Sequence, residues 1–253
     1  VYVRYAALGD SATVGVGDPV PDGWRGWSRL LAAALTTSYD LSYCNLAVSG
    51  STSADVLEHQ LDDALAHRPD LASLVVGLND TMRASFDPAD LRERVLTCAE
   101  ALTDAGAQLL TVRYHDHAAV FGLPSWLARP LRARLGCVNA VYDEVHASYG
   151  GHRVDLALQP QVLQRAFWSV DRLHPSELGH RALARAHAEL LLAAGMEFQP
   201  PSLLPSGGLP QGWRDDVAWL VREGAPWVGR RARDWAPTLT LLPAPRRAAP
   251  ARR

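Results

Sequence analysis

Five short apolar runs alternate with helix-forming stretches along the first two hundred residues, and this alternation constrains the fold more than any other feature. Val1–Leu8, Leu41–Val48, Leu71–Val76, Gln108–Val112 and Arg153–Leu156 read as strands. Helical stretches lie between and after them. Residues 26–37 form one. Ala54–His67 forms a second, with Ser53 as its cap and Asp55 in its first turn. Pro88–Ala105 is opened by Asp87-Pro88 and stopped by Gly106. Residues 127–148 follow, interrupted by Pro130 and Gly136, and then Ser176–Ala194, stopped by Gly195. Residues 12–25 carry Gly15, Gly17, Pro19, Pro21 and Gly23, which is loop chemistry. Strands alternating with helices require a parallel sheet covered on both faces, and right-handed crossovers restrict the topology to a doubly wound α/β sandwich of about five strands.

Composition bounds the function. The chain has 253 residues, 48% apolar and 21% charged, with a net charge of -2. That suits one large domain, or one with an appendage, and supplies no whole-chain field for nucleic acid. Every basic residue is Arg, so a catalytic Lys or Schiff base is excluded. Cys44, Cys98 and Cys137 are widely spaced without a C-x-x-C, which argues for buried, inert thiols over a disulfide framework or a zinc site. No run reaches the ~20 apolar residues of a membrane span. With a strand-like opening in place of a leader, a cytoplasmic location is expected. From Gln199 the texture changes to Pro200-Pro201, Pro205, Gly207-Gly208 and Pro210. An amphipathic helix candidate at Trp213–Arg222 follows, then a Trp- and Arg-rich end. Residues 1–198 are read as the main domain. Residues 199–253 are read as an extension that packs on it and ends in a mobile tail, its Arg-rich part open to contact with a partner.

The chemistry concentrates at strand ends. Gly9-Asp10-Ser11 follows the first run, Gly50 the second, and Gly77-Leu-Asn79-Asp80 the third; Asp171-Arg-Leu-His174-Pro175 follows the fifth. In open α/β sheets ligands bind at the carboxyl edge, where all four fall. A serine hydroxyl needs a base, and His174 is the candidate. Asp171 precedes it by three residues, so one tight turn brings its carboxylate to the ring Nδ1–H. The Asn79 amide and the backbone N–H groups of Ser11 and Gly50 are candidate oxyanion donors. Asp10 and Asp80 read either as braces for these loops or as turn and cap carboxylates. Trp24, His115 and Trp168 are candidate substrate-binding residues, with core packing the alternative for Trp168. His115-Asp116-His117 lacks the helical spacing of a metal site, so no metal and no cofactor are expected. His180 and His187 read as surface or packing residues.

These four blocks, in this order, resemble the SGNH subgroup of the GDSL hydrolases over residues 3–194. The resemblance implies a flavodoxin-like three-layer α/β/α sandwich and metal-free serine hydrolysis of a small-molecule ester, thioester or acetyl bond through an acyl-enzyme on Ser11. It equally admits an acyltransferase that passes the acyl group to an alcohol or amine, because the family includes both. The near-neutral charge and the lack of a long apolar run point to neither a nucleic-acid partner nor an integral-membrane one, and the oligomeric state stays open.

Overall fold

The computed structural model describes residues 1–209. In chain order its elements are strand β1 (Tyr2–Gly9), helix α1 (Ser11–Val14), short strands β2 (Pro19–Val20) and β3 (Gly23–Trp24), α2 (Gly26–Leu35) and β4 (Asp40–Asn45). Next come α3 (Ser53–His59), α4 (Leu61–His67), β5 (Leu71–Val75), α5 (Leu78–Thr81), α6 (Pro88–Asp104) and β6 (Gln108–Arg113). The last are α7 (His117–Phe121), α8 (Ser125–Tyr149), β7 (His152–Asp155) and α9 (Glu177–Ala193). Three 3-10 turns lie between Leu156 and Phe167.

The main sheet is all parallel, in the order β4-β1-β5-β6-β7. Leu71–Val75 is buried along its whole length, as a strand covered on both faces must be. Helix α2 packs with α9, while α6 packs with α3 and α8, so helices flank the sheet in a three-layer sandwich. The chain leaves β1 toward β4 and returns to β5 on its other side. The strand order therefore reverses at β1, and the loops after β1 and β5 open a crevice there.

All five expected strands are present, and the differences lie in the connections. The loop at 12–25 holds a four-residue helix beginning at Ser11 and the β2–β3 hairpin. The helix expected over 54–67 is two helices, broken at Gln60. Its cap is Thr52 rather than Ser53: the Thr52 hydroxyl accepts from Asp55 N–H while Asp55 accepts from Thr52 N–H, a capping box. Ser53 is free for another role, described below. Helix α8 runs unbroken through Pro130 in its second turn, forgoing the one intrahelical bond that residue's N–H would have made. Of the three cysteines only Cys98 is buried, its thiol pushed up to about 12 by burial; Cys44 and Cys137 are half-buried.

Three side chains, two on α8 and one at the break between α3 and α4, close the sheet at its carboxyl edge, where the strand ladders end. The Tyr142 hydroxyl accepts from Val76 N–H and donates to Val76 C=O, both at 2.9 Å. The Asn139 amide makes the same pair of bonds to Tyr114, at 2.8 and 2.9 Å. The Gln60 amide does so to Gly9, at 2.9 and 3.0 Å. Tyr142 and Asn139 each satisfy two buried backbone groups; Gln60 satisfies the Gly9 N–H and shares the Gly9 C=O with Val48 N–H.

Residues 199–209 lie against the domain. Arg181 donates to Ser202 C=O and Ser206 C=O, Arg25 donates to Ser206 C=O, and Glu177 accepts from Ser206 N–H. Leu209 N–H reaches Pro19 C=O. The helix expected at Trp213–Arg222 and the Arg-rich end lie outside the described residues. No helix among the described residues is long and apolar enough to cross a membrane.

Candidate active site

Ser11 sits at the first position of α1, where β1 leaves the sheet. Gly9 adopts φ +150, and a Cβ there would stand 2.4 Å from Val75 C=O, so only glycine permits the exit. Asp10 caps α1 by accepting from Ala12 N–H. The loop then packs directly on the segment that carries His174. A Cβ on Gly17 would lie 2.0 Å from Pro175 C=O, so backbone meets backbone between the two loops. His180 ties the same loop to α2: its Nδ1 accepts from Trp27 N–H and its Nε2–H donates to Val16 C=O.

His174 lies in a turn built by hydrogen bonds. Ser169 N–H donates to His174 C=O, and Arg172 N–H to Ser169 C=O. Arg172 occupies the left-handed region at φ 55, unusual for a side-chain-bearing residue and a mark of local strain. Asp171 Oδ1 accepts from the N–H groups of Leu173 and His174 and from the Ser169 hydroxyl. Asp171 Oδ2 lies 2.6 Å from His174 Nδ1, and His174 Nε2 lies 2.7 Å from Ser11 Oγ. Burial opposes ionisation of Asp171. The hydrogen bond and charge of His174, with the Ser169 and backbone donors, outweigh it and hold the carboxyl below its usual range. With Asp171 ionised, Nδ1 carries the proton and Nε2 accepts from the Ser11 hydroxyl.

The Asn79 loop is tied to the neighbours of Ser11 and Gly50 through Asp10 and Ser51. Asn79 is in the first turn of α5 rather than in open loop, because Gly77 at φ 118 turns the chain directly into that helix. Its Nδ2 donates to Ser51 C=O at 3.1 Å and to Asp10 Oδ2 at 3.4 Å. Gly50 has φ +87 with nothing near its Cβ direction, so the backbone angle accounts for glycine there. No described residue accepts from the N–H of Ser11 or of Gly50. Asp80 braces from behind, its carboxylate accepting from both Ser53 N–H and the Ser53 hydroxyl. Burial raises both acids. Asp10 reaches about 6, opposed by Ala12 N–H and His174; Asp80 is opposed mainly by Ser53.

The candidate substrate residues separate. His115 and Trp168 pack on one another, ring centroids 4.9 Å apart, and are only 4% and 5% exposed. Trp168 Nε1–H donates to Val162 C=O, and Trp168 pairs with Pro175 across the turn that holds His174. The pair therefore underlies that turn and offers little surface to a ligand. Trp24 is half-buried on the β2–β3 hairpin. His180 and His187 are both fully buried, so packing is their place. No three metal-ligating side chains converge among the described residues.

Several residues at the site were not marked by sequence. Thr52, Ser53, Ser169 and Tyr142 resemble ordinary capping and core residues. Gln60 left a trace: with Val56 and Ala64 it occupies an i, i+4 apolar stripe, and a polar residue there implies a buried partner.

Residues 7–182 match the model of the GDSL-like lipase/acylhydrolase family. The chain belongs to that family. It is thus a carboxylic ester hydrolase by membership, and the matched span contains Ser11, Gly50, Asn79, Asp171 and His174. Among its relatives is an acetylxylan esterase from Geobacillus stearothermophilus, 24% identical over 164 residues, covering 62% of this chain and 74% of that protein. The solved structure of a catalytic mutant of the acetylxylan esterase Axe2, also from Geobacillus stearothermophilus, superposes with a TM-score of 0.61. It is 20% identical and covers 77% of this chain and 95% of that one. That of TesA superposes at 0.58, with 23% identity over 74% and 97%. These likenesses agree on the fold.

Proposed function

We propose that this GDSL hydrolase cleaves a small-molecule ester through an acyl-enzyme on Ser11, without metal or cofactor. The observation that carries the reading is the pair of contacts, 2.7 and 2.6 Å, linking Ser11 through His174 to Asp171 across 163 residues of sequence. Ser11 Oγ attacks the acyl carbonyl as His174 Nε2 takes its proton. Asp171 keeps the ring in the accepting tautomer and stabilises the imidazolium. The oxyanion is received by the N–H groups of Ser11 and Gly50 and by Asn79 Nδ2, whose 3.4 Å bond to Asp10 is the weaker of its two and the one displaced. His174 then protonates the leaving alcohol. A water, deprotonated by the same ring, attacks the acyl-enzyme and releases the acid.

Turnover of p-nitrophenyl esters of graded chain length tests this. The wild type is expected to hydrolyse at least the short esters and Ser11→Ala to lose the activity by on the order of 10⁶-fold; comparable rates in the two proteins would overturn the assignment. The same acyl-enzyme serves an acyltransferase when an alcohol or amine displaces the water. Product analysis with and without an added acceptor separates the two, with free acid as the expected product in both.

A further inference from the structure

We propose that Gln60 is a positioning residue for this reaction, fixing Ser11 relative to the oxyanion donors; the inference rests on the acyl-enzyme reading above. Gln60 is 1% exposed and uses its whole amide. Oε1 accepts from Gly9 N–H at 2.9 Å, and Nε2 donates to Gly9 C=O at 3.0 Å and to the Ser51 hydroxyl at 3.2 Å. Gly9 lies two residues before Ser11, and Ser51 directly follows Gly50. The Ser51 carbonyl in turn holds Asn79 Nδ2. One side chain thus joins the nucleophile strand, the Gly50 loop and, through Ser51, the Asn79 amide.

Topology explains why a side chain is needed. The β1–β4 ladder pairs residues as far as Ala7 with Asn45; beyond it Val48 N–H still donates to Gly9 C=O at 3.3 Å, but no backbone group accepts from Gly9 N–H. Gly9 still pairs with β5 through Val75 on its other side. Its N–H therefore needs a side-chain acceptor, and the break between α3 and α4 places Gln60 there. Tyr142 and Asn139 close β5 and β6 in the same manner, but neither makes a third bond to the Gly50 loop. That third bond separates a positioning role from strand closure alone. Displacements near 1 Å in such constellations cost about 10²-fold in rate.

The test compares Gln60→Leu, Gln60→Glu and Asn139→Leu with wild type, by ester kinetics, thermal melting and the rate of fluorophosphonate labelling. Gln60→Leu is expected to lower kcat about 10–100-fold with KM changed less than about threefold, and to slow labelling in parallel, since phosphonylation uses the same donors. Gln60→Glu keeps the side-chain volume and the acceptor for Gly9 N–H but loses the donors to Gly9 C=O and Ser51. It is expected to lose kcat too, and it carries the test if Gln60→Leu does not fold. Asn139→Leu is expected to melt earlier while keeping kcat within about threefold. Near-wild-type kcat in a folded Gln60 variant, or an equal loss of kcat in Asn139→Leu, would overturn the proposal. A wild type that fails to label, or a Ser11→Ala variant that still labels, would instead sink the nucleophile reading, so the two failures are distinguishable.

Discussion

Asp171→Asn is expected to lower kcat by about 10⁴-fold while leaving the melting temperature nearly unchanged. The effect follows from the proton on His174. An ionised Asp171 accepts from Nδ1–H at 2.6 Å, which leaves Nε2 as an acceptor facing Ser11 Oγ. An asparagine amide in the same place can donate to Nδ1, which moves the ring proton to Nε2, where it blocks attack. It also removes the charge that stabilises the imidazolium. The Asp171 carbonyl-side bonds to Leu173, His174 and Ser169 all go to Oδ1, which the asparagine oxygen can still supply, so the turn persists. Steady-state ester kinetics with a melting curve checks both halves; an unchanged kcat would mean that His174 is oriented by another group.

Acidification from pH 7 to 5 is expected to destabilise the fold by several kcal/mol. Burial depresses four imidazoles: His115 to about 2, His187 to about 3, and His117 and His180 to about 4. Each titrates near 6.5 in the unfolded chain. Above 6.5 both states are neutral and nothing is lost. Below it the unfolded chain takes up protons that the native state refuses, so stability falls as pH falls, by about 2 kcal/mol per imidazole between pH 6.5 and 5. Asp10, raised to about 6, and Asp80, also raised by burial, act in the opposite sense as pH falls, and two carboxyls offset only part of the effect of four imidazoles. Urea unfolding at pH 7, 6 and 5 reads the slope, and stability that is flat over that range would contradict it. His187→Phe isolates one contribution. The His187 ring stacks on Trp27 at 4.7 Å and its nitrogens have no hydrogen-bond partner among the described residues. Phenylalanine keeps the stack, so the variant is expected to match wild type at pH 7 and lose about one proton's share of the slope.

The strands, the helices and the four motif blocks were legible in the sequence because each rests on local signals: apolar period, glycine at a forced turn, proline at a helix start. Placement of the blocks at one sheet edge then brought Ser11, Gly50, Asn79 and His174 into a single neighbourhood. What escaped depends on tertiary partners. Thr52 took the cap from Ser53 because Asp80, twenty-seven residues away, holds Ser53. The helix over 54–67 breaks at Gln60, whose amide is held by Gly9 and Ser51. His115 and Trp168 follow strand ends, as residues facing a substrate would, yet they turn inward to support the His174 turn. Residues 199–209 look like a linker by composition, but Arg25, Glu177 and Arg181 supply the partners that fix their backbone.

The most direct test of Ser11 as nucleophile is covalent. The full-length protein is treated with a fluorophosphonate, and the adduct is located by intact mass and peptide mapping in wild type and in Ser11→Ala. The expected result is one adduct per chain, on the peptide bearing Ser11, and none in Ser11→Ala. An adduct at any other residue of the wild type, or labelling that persists in the variant, would contradict the assignment of Ser11 as nucleophile.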